Sequence, residues 1–231
     1  MILGIKIWAD YAHFSHPATI YSSLTYPIPP KTTVMGLLGC IIGENNYYFL
    51  NDISYACIIE NIDGKSRFCF NGIKDALSEL NIKKIEENSG FKQRRQFYRE
   101  LLINPSYEIY LDLSKLSDKK IDIISNILRS EKSLFTPYLG INFCLAKYQF
   151  LGEFRASSSS QSAHINSFIP IDSDFELEFD KSYTDCRFAT TVNSSREFGN
   201  FKTFLVETSG KSIKCNNITY YELNGKKVIF I

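Results

Sequence analysis

The stretch Tyr26-Pro27-Ile28-Pro29-Pro30-Lys31-Thr32-Thr33-Val34-Met35-Gly36-Leu37-Leu38-Gly39-Cys40-Ile41-Ile42-Gly43 decides how the rest of the chain is arranged. Three of its first five residues are proline. Proline fixes φ and lacks a backbone N–H, so neither strand nor helix runs through this segment. From Thr32 onward the residues are apolar and predict a buried helix, closed by Gly43 ahead of Glu44-Asn45-Asn46. Gly36 and Gly39 lie inside it, each costing about 1 kcal/mol relative to alanine. The simplest compensation is close approach of another backbone. At the helix start, Lys31, Thr32 and Thr33 set a cation and two hydroxyls beside unpaired amides, a chemistry suited to phosphate.

Outward from this stretch, alternation predicts strands over Ile2–Tyr11 and Asp52–Ile62. A turn at Asp63-Gly64 leads into a third strand, Lys65–Gly72, paired as a hairpin. The segment from about 74 to 103 is polar and is expected as an insertion outside the core. It is expected to be helical near Asp75–Leu80 and again near Arg95–Ile103. Strand character resumes at Tyr107–Leu113, and a helix follows Ser117 with apolar residues Ile121, Ile124, Ile127 and Leu128. Ala146–Phe154 closes the set. Without the extra strand the order is close to βαββαβ, the ferredoxin-like arrangement shared by RNA-recognition domains. The fold class expected is α+β: a ferredoxin-like domain over 1–155 with an inserted segment, then a small β-rich domain over 164–231. Arg155–Gln161, with its run of serines, is expected as the flexible joint.

The 231 residues carry a formal net charge of +1, with 44% hydrophobic residues, an ordinary globular balance. This excludes a binder driven by bulk charge but leaves room for a local basic face. The longest apolar run, Val34–Ile42, is far short of the roughly 20 residues that span a bilayer, and no leader pattern opens the chain. A cytoplasmic location without membrane contact is expected. The six cysteines are scattered, as buried thiols in a reducing compartment would be, and no pattern predicts a metal or other cofactor.

Candidate chemistry concentrates in two places. His13 and His16 precede the opening stretch, with Tyr11, Tyr21 and Lys31 as possible neighbours. One reading of this set is metal-independent RNA cleavage; the other is a loop-shaping role. The second place is the insertion, where Lys92, Arg94, Arg95 and Arg99 interleave with Phe91, Phe97 and Tyr98. Arginine grips phosphate and aromatic rings stack on splayed bases, so this patch suits single-stranded RNA, or else it is a solvated face.

Ala12-His13-Phe14, the block Ser22–Thr33 and Gly36-Leu37-Leu38-Gly39 together resemble the N-terminal signature of the CRISPR-associated Cas five family in its type I-B form. Arg99–Leu111, Pro137-Tyr138-Leu139-Gly140 and Ser167-Phe168-Ile169-Pro170 match in the same order. The resemblance implies a RAMP-superfamily domain with an inserted thumb. It also implies a role: a guide-RNA-binding subunit of a type I Cascade complex, holding the 5′ handle of the crRNA in antiviral defence. Its partners would be the backbone and large subunits, with target DNA met only indirectly. The RNA contacts expected are His13, Ser22, Ser23, Lys31, Thr32 and Thr33 at the rim, and Lys92, Arg94, Arg95, Tyr98 and Arg99 on the thumb. The type I-C branch cuts precursor RNA, whereas type I-B leaves cutting to another protein, so no catalysis is carried over. The alternative is an endoribonuclease processing precursor crRNA.

Overall fold

The computed structural model describes residues 1–19, 23–73 and 94–231. In chain order the elements are β1 (Ile2–Ala9), β2 (Tyr11–Ala12), α1 (Lys31–Ile42), a 3-10 turn (Tyr47–Asp52), β3 (Ser54–Asn61), β4 (Gly64–Ile73), β5 (Arg94–Ile103) and β6 (Ser106–Asp112). There follow α2 (Asp118–Ser130), β7 (Ala146–Phe154), β8 (Ser158–Ile165), β9 (Ile169–Pro170), β10 (Phe175–Glu176), β11 (Tyr183–Val192), β12 (Phe198–Glu207), β13 (Ile213–Leu223) and β14 (Lys226–Val228). The fold is mixed α+β with antiparallel pairing throughout the described ladders.

The central sheet has the order β3-β6-β1-β7. Because side chains alternate across a strand, its register sorts residues onto two faces. Leu3, Ile5 and Ile7 lie opposite Leu111, Ile109 and Tyr107, and Tyr55, Cys57 and Ile59 continue the same row on β3. These residues pack against Val34, Met35, Leu38 and Ile41 of α1 and Ile124 and Leu128 of α2, forming the main core. Gly43 ends α1 with a left-handed φ of 73°, as the sequence predicts.

The proline-rich entry is held by tyrosines. Its prolines have no N–H to satisfy, but their buried carbonyls still need donors. Tyr107 donates its hydroxyl to the Pro27 carbonyl at 2.8 Å, and Tyr55 donates to Pro29 at 3.0 Å. Tyr26 in turn donates to the carbonyl of Arg187 on β11. Burial pushes the Tyr55 and Tyr107 hydroxyls well above the usual phenol range, so both remain donors at any ordinary pH.

The C-terminal strands have a small core of their own, built from Ile165, Ile169, Leu205, Ile213 and Tyr220, and they also contribute to the main core. The sheet β11-β12-β9 lays Phe188, Phe204 and Val206 into the main core beside Phe168 and α1. The rings of Phe188 and Phe204 stack at 4.8 Å, and Phe168 meets Tyr55 at 5.4 Å. The second sheet, β10-β13-β14 with β8 on β13, reaches around to the other face of the central sheet. There Leu223 and Val228 cover Ile2, Ala56, Ile58 and Tyr110. The turn at Asn224-Gly225, with φ of 50° and 73°, is the tight hairpin expected from sequence. Lys6 and Lys226 bridge Glu60 and Glu108 on this face at 2.6 and 2.9 Å. Burial opposes the charge on Glu60, but the bond from Lys6, the hydrogen bond with Glu108 and the nearby Lys226 prevail and hold its carboxyl at about 2.

Several expectations are corrected. The segment Arg95–Ile103 is strand β5, not helix, because β4 supplies a ladder partner along its whole length, from Gly64↔Ile103 to Gly72↔Arg95. The strand after Asp63-Gly64 pairs with β5 and not with β3, so that turn passes the chain from one sheet to another. The Asp63 carboxylate pins the crossing by accepting from Asn61 and Asn104 at 2.9 and 2.7 Å. The serine run is not a free joint, since Ser158–Ser160 pair with Thr219–Tyr221. Gly39 does have the close neighbours expected, the Glu44 carbonyl and Tyr47 Cβ each 3.0 Å from a Cβ built there. Gly36 has nothing within 4 Å among the described residues. The helix expected near Asp75–Leu80 lies outside the described residues.

Replacing Tyr107 by phenylalanine keeps the ring and strands the buried Pro27 carbonyl. Urea denaturation of Tyr107→Phe is expected to show a loss of about 1–3 kcal/mol. A midpoint within error of the wild type would mean that this bond does not anchor the entry.

Candidate nucleic-acid interface

Strands β4 and β5 form a long hairpin, paired from Gly64↔Ile103 to Ile73↔Arg94, with β2 on its base through Tyr11↔Ile103. Alternation gives the hairpin two unlike faces. One carries Phe68, Phe70 and Phe97 with Arg95 and Arg99. The Phe68 and Phe70 rings lie 6.0 Å apart, Phe70 and Phe97 5.5 Å apart, and both pairs are stacked. Arg99 lies 5.5 Å from the centre of the Phe70 ring and Arg95 6.0 Å from Phe97. Phe143, from the loop after α2, extends the row at 5.7 Å from Phe68. Phe68 is exposed and Phe70 and Phe97 are half-buried beside the arginines, so guanidinium groups and aromatic surface lie together, the combination that single-stranded nucleic acid uses. The other face carries Arg67 and Tyr98, the latter exposed and donating to Gln96 at 2.7 Å.

The base of the hairpin is fixed by His13. Its Nδ1–H donates to the Glu100 carbonyl at 2.7 Å, so Nε2 is the acceptor and takes the Ser15 hydroxyl at 3.1 Å. Ser23 Oγ lies 3.4 Å from the same nitrogen, and the Ser23 carbonyl accepts from Glu100 N. The ring is buried, and desolvation lowers its pKa despite the Glu100 carbonyl bond that favours the charged form. His13 is therefore a neutral strut between the N-terminal loop and β5. Gly140 closes against the same loop: its φ is 86°, and a Cβ there would lie 1.8 Å from the His13 carbonyl oxygen. No other residue fits that position. Beyond the strut, Lys65 meets Glu100 at 3.0 Å.

Lys31 is placed differently from the open phosphate contact expected. It is 5% exposed, and its Nζ donates to the Asn51 carbonyl at 3.0 Å. Burial, with Lys115 nearby, lowers its pKa to about 8. Thr32 and Thr33 instead line an open cleft between the start of α1 and the hairpin β11–β12. Thr33 and the bare surface of Gly36 also border a second groove with Tyr138 and Arg196. Gly140 borders both and also the hollow beneath Phe68, Phe70 and Arg99, so the three depressions are neighbours around it.

Of the residues expected at the site, the structure brings Arg95 and Arg99 onto one face, and His13 and Ser23 to its base. Tyr98 faces the other way. Lys31 is drawn inside and stands apart from the arginines. Arg94 is placed by its backbone alone, at the described end of β5. Ser22, Lys92 and Tyr21 lie outside the described residues. His16 packs on Tyr26 at 4.5 Å rather than joining His13. Sequence reasoning missed Phe68, Phe70, Phe143, Tyr138, Phe198 and Phe201. The first two were signalled by their i, i+2 spacing opposite Phe97; Tyr138 and Phe143 stand in the segment after α2, and Phe198 and Phe201 on β12, where only the tertiary packing puts them beside the site.

Among the described residues no helix is long and apolar enough to cross a membrane. A mixed α+β build with antiparallel sheets and an aromatic-basic hairpin places the protein in a recognisable structural class. A solved structure described as a CRISPR protein from Archaeoglobus fulgidus superposes with a TM-score of 0.56 at 10% identity, covering 99% of this chain and 98% of the other. A chain of a "CRISPR RNA-guided surveillance complex" gives 0.52 at 9% identity, with 93% and 91% covered. A structure described as a Cas protein gives 0.52 at 12% identity, with 91% and 96% covered. No curated protein matches the sequence. The family profile "CRISPR-associated protein (Cas_Cas5)" matches residues 2–168, and the chain belongs to that family.

Because Lys31 holds its proton less tightly folded than unfolded, the unfolded chain binds more protons above about pH 8. The wild type is expected to gain stability relative to Lys31→Met as pH rises from about 8 to about 10.4, the ordinary lysine value. Paired urea titrations at pH 7 and pH 10 measure this; a constant difference would mean Lys31 is solvated.

Proposed function

We propose that this protein is a guide-RNA-binding subunit of a type I CRISPR effector complex, of the I-B form, holding the 5′ handle of the crRNA. The observation that carries this reading is the hairpin face on which Arg95 and Arg99 lie over Phe97 and Phe70. Family membership supports it, as does the likeness to a chain of an RNA-guided surveillance complex. The strand order β3-β6-β1-β7, with α1 between β1 and β3 and α2 between β6 and β7, supports reading 1–155 as a ferredoxin-like, RRM-like βαββαβ unit. Residues 164–231 then form the β-rich unit packed on it. The Leu223–Val228 hairpin covers part of the sheet surface that RNA-recognition domains use, which moves RNA to the thumb and its base. Backbone and large subunits are the protein partners of this reading, target DNA is met indirectly, and the complex works in the cytoplasm.

Fluorescence polarisation with labelled single-stranded handle RNA tests the hairpin. Arg95→Ala with Arg99→Ala is expected to weaken binding. It is also expected to flatten the slope of log K against log salt by about 1.4, two contacts at about 0.7 each. Unchanged affinity and slope would remove the hairpin from the interface.

We further propose that the chain binds RNA without cutting it. Both ring nitrogens of His13 are engaged, and Lys31 is held by Asn51, so the expected base and cation do not meet. Precursor RNA incubated with the protein in EDTA is expected to stay intact. Cleavage that disappears in His16→Ala would establish the endoribonuclease instead.

A further inference from the structure

The cleft between the first turn of α1 and the hairpin β11–β12 has a composition that the thumb does not explain. It encloses about 350 Å³, at the lower end of the roughly 300–1,000 Å³ typical of small-ligand sites, room for one nucleotide and not for a duplex. Its floor is Phe188, part of the main core. Its outer wall is Phe198 and Phe201, which remain 58% and 47% exposed, two large rings left in water beside a hollow. Opposite them stand Thr32 and Thr33. Arg187 does not line the cleft itself, but its guanidinium lies 5.7 Å from the centre of the Phe201 ring, a cation next to the wall. Asn200, at φ 50°, bends β12 between the two rings, and both line the cleft.

Aromatic faces, hydroxyls and one arginine are the groups that bind a base and its phosphate together. The cleft and the hollow beneath Phe68, Phe70 and Arg99 both border Gly140, so a single strand on the thumb passes close to it. We propose that this cleft seats one splayed nucleotide of single-stranded RNA, its base on Phe198 and Phe201 and its phosphate toward Arg187, Thr32 and Thr33. The proposal rests on the guide-RNA reading above and adds a second, separate holding point.

The test measures binding of labelled single-stranded handle RNA to the full chain, alongside ultraviolet crosslinking mapped by mass spectrometry. Phe198→Ala with Phe201→Ala is expected to weaken binding about tenfold while leaving the salt slope unchanged, since stacking releases no counterions. Phe201→Trp is expected to keep wild-type affinity, and a crosslinked nucleotide is expected on the Phe198–Phe201 segment. If Arg95→Ala with Arg99→Ala weakens binding while neither Phe variant does, the cleft is empty of RNA and only this proposal falls. If the wild type binds no RNA, both readings fall. Should the double alanine variant bind RNA normally but fail to assemble with other subunits, the cleft takes a protein chain and the proposal is overturned. Should that variant not fold, absence of the crosslink in the wild type overturns it.

Discussion

Two buried tyrosine hydroxyls carry the arrangement of this molecule. Tyr55 and Tyr107 stand on neighbouring central strands and donate to the carbonyls of Pro29 and Pro27, since a proline offers a backbone acceptor but no donor. That pair of bonds sets the angle at which the chain enters α1, and α1 carries Val34, Met35 and Leu38 into the core. Tyr26 extends the same logic to β11, so the C-terminal sheet is indexed to the entry as well. Leaving a buried carbonyl unpaired costs more than a bond usually contributes, which makes this geometry hard to vary piecemeal.

From that fixed entry the candidate interface follows. The N-terminal loop lies against β5 through His13 and Ser23, and the loop after α2 closes on it where Gly140 meets the His13 backbone. The β4–β5 hairpin therefore springs from a rigid base, and its outward face carries Phe68 in the open with Phe70, Phe97 and the arginines partly exposed. Burial of His13 and Lys31 is the cost of that rigidity. Two groups that look reactive in isolation are spent on structure, and the surface left for a ligand is aromatic and guanidinium.

The central sheet reaches a division of labour that its strand order alone would not suggest. One face is packed by helices, and the other is partly closed by Leu223 and Val228 and by the Lys6, Lys226, Glu60 and Glu108 network. An open sheet face would be the natural RNA platform. Here the chain's own last strands cover part of it, and the accessible aromatic surface lies on the hairpin and along the cleft instead.

Sequence alone determined much of this. Alternation in Ala146–Phe154, the prolines before α1, the glycine after it and the Asn224-Gly225 turn are local signals that appear where they were expected, while the strand expected over Ile2–Tyr11 ends at Ala9 and Tyr11 passes to another sheet. The aligned motifs were legible too, because the family signature lies within contiguous stretches. Other features needed tertiary structure. Arg94–Ile103 has the composition of an insertion, and its strand character exists only because β4 supplies the partner. Lys31 reads as a surface cation until the Asn51 carbonyl is seen to be its partner, and Phe198 and Phe201, which no local signal singles out, stand exposed beside the cleft. Period and punctuation are properties of neighbours in the chain. Burial and pairing belong to residues distant in sequence, and those decided which candidate side chains face a ligand.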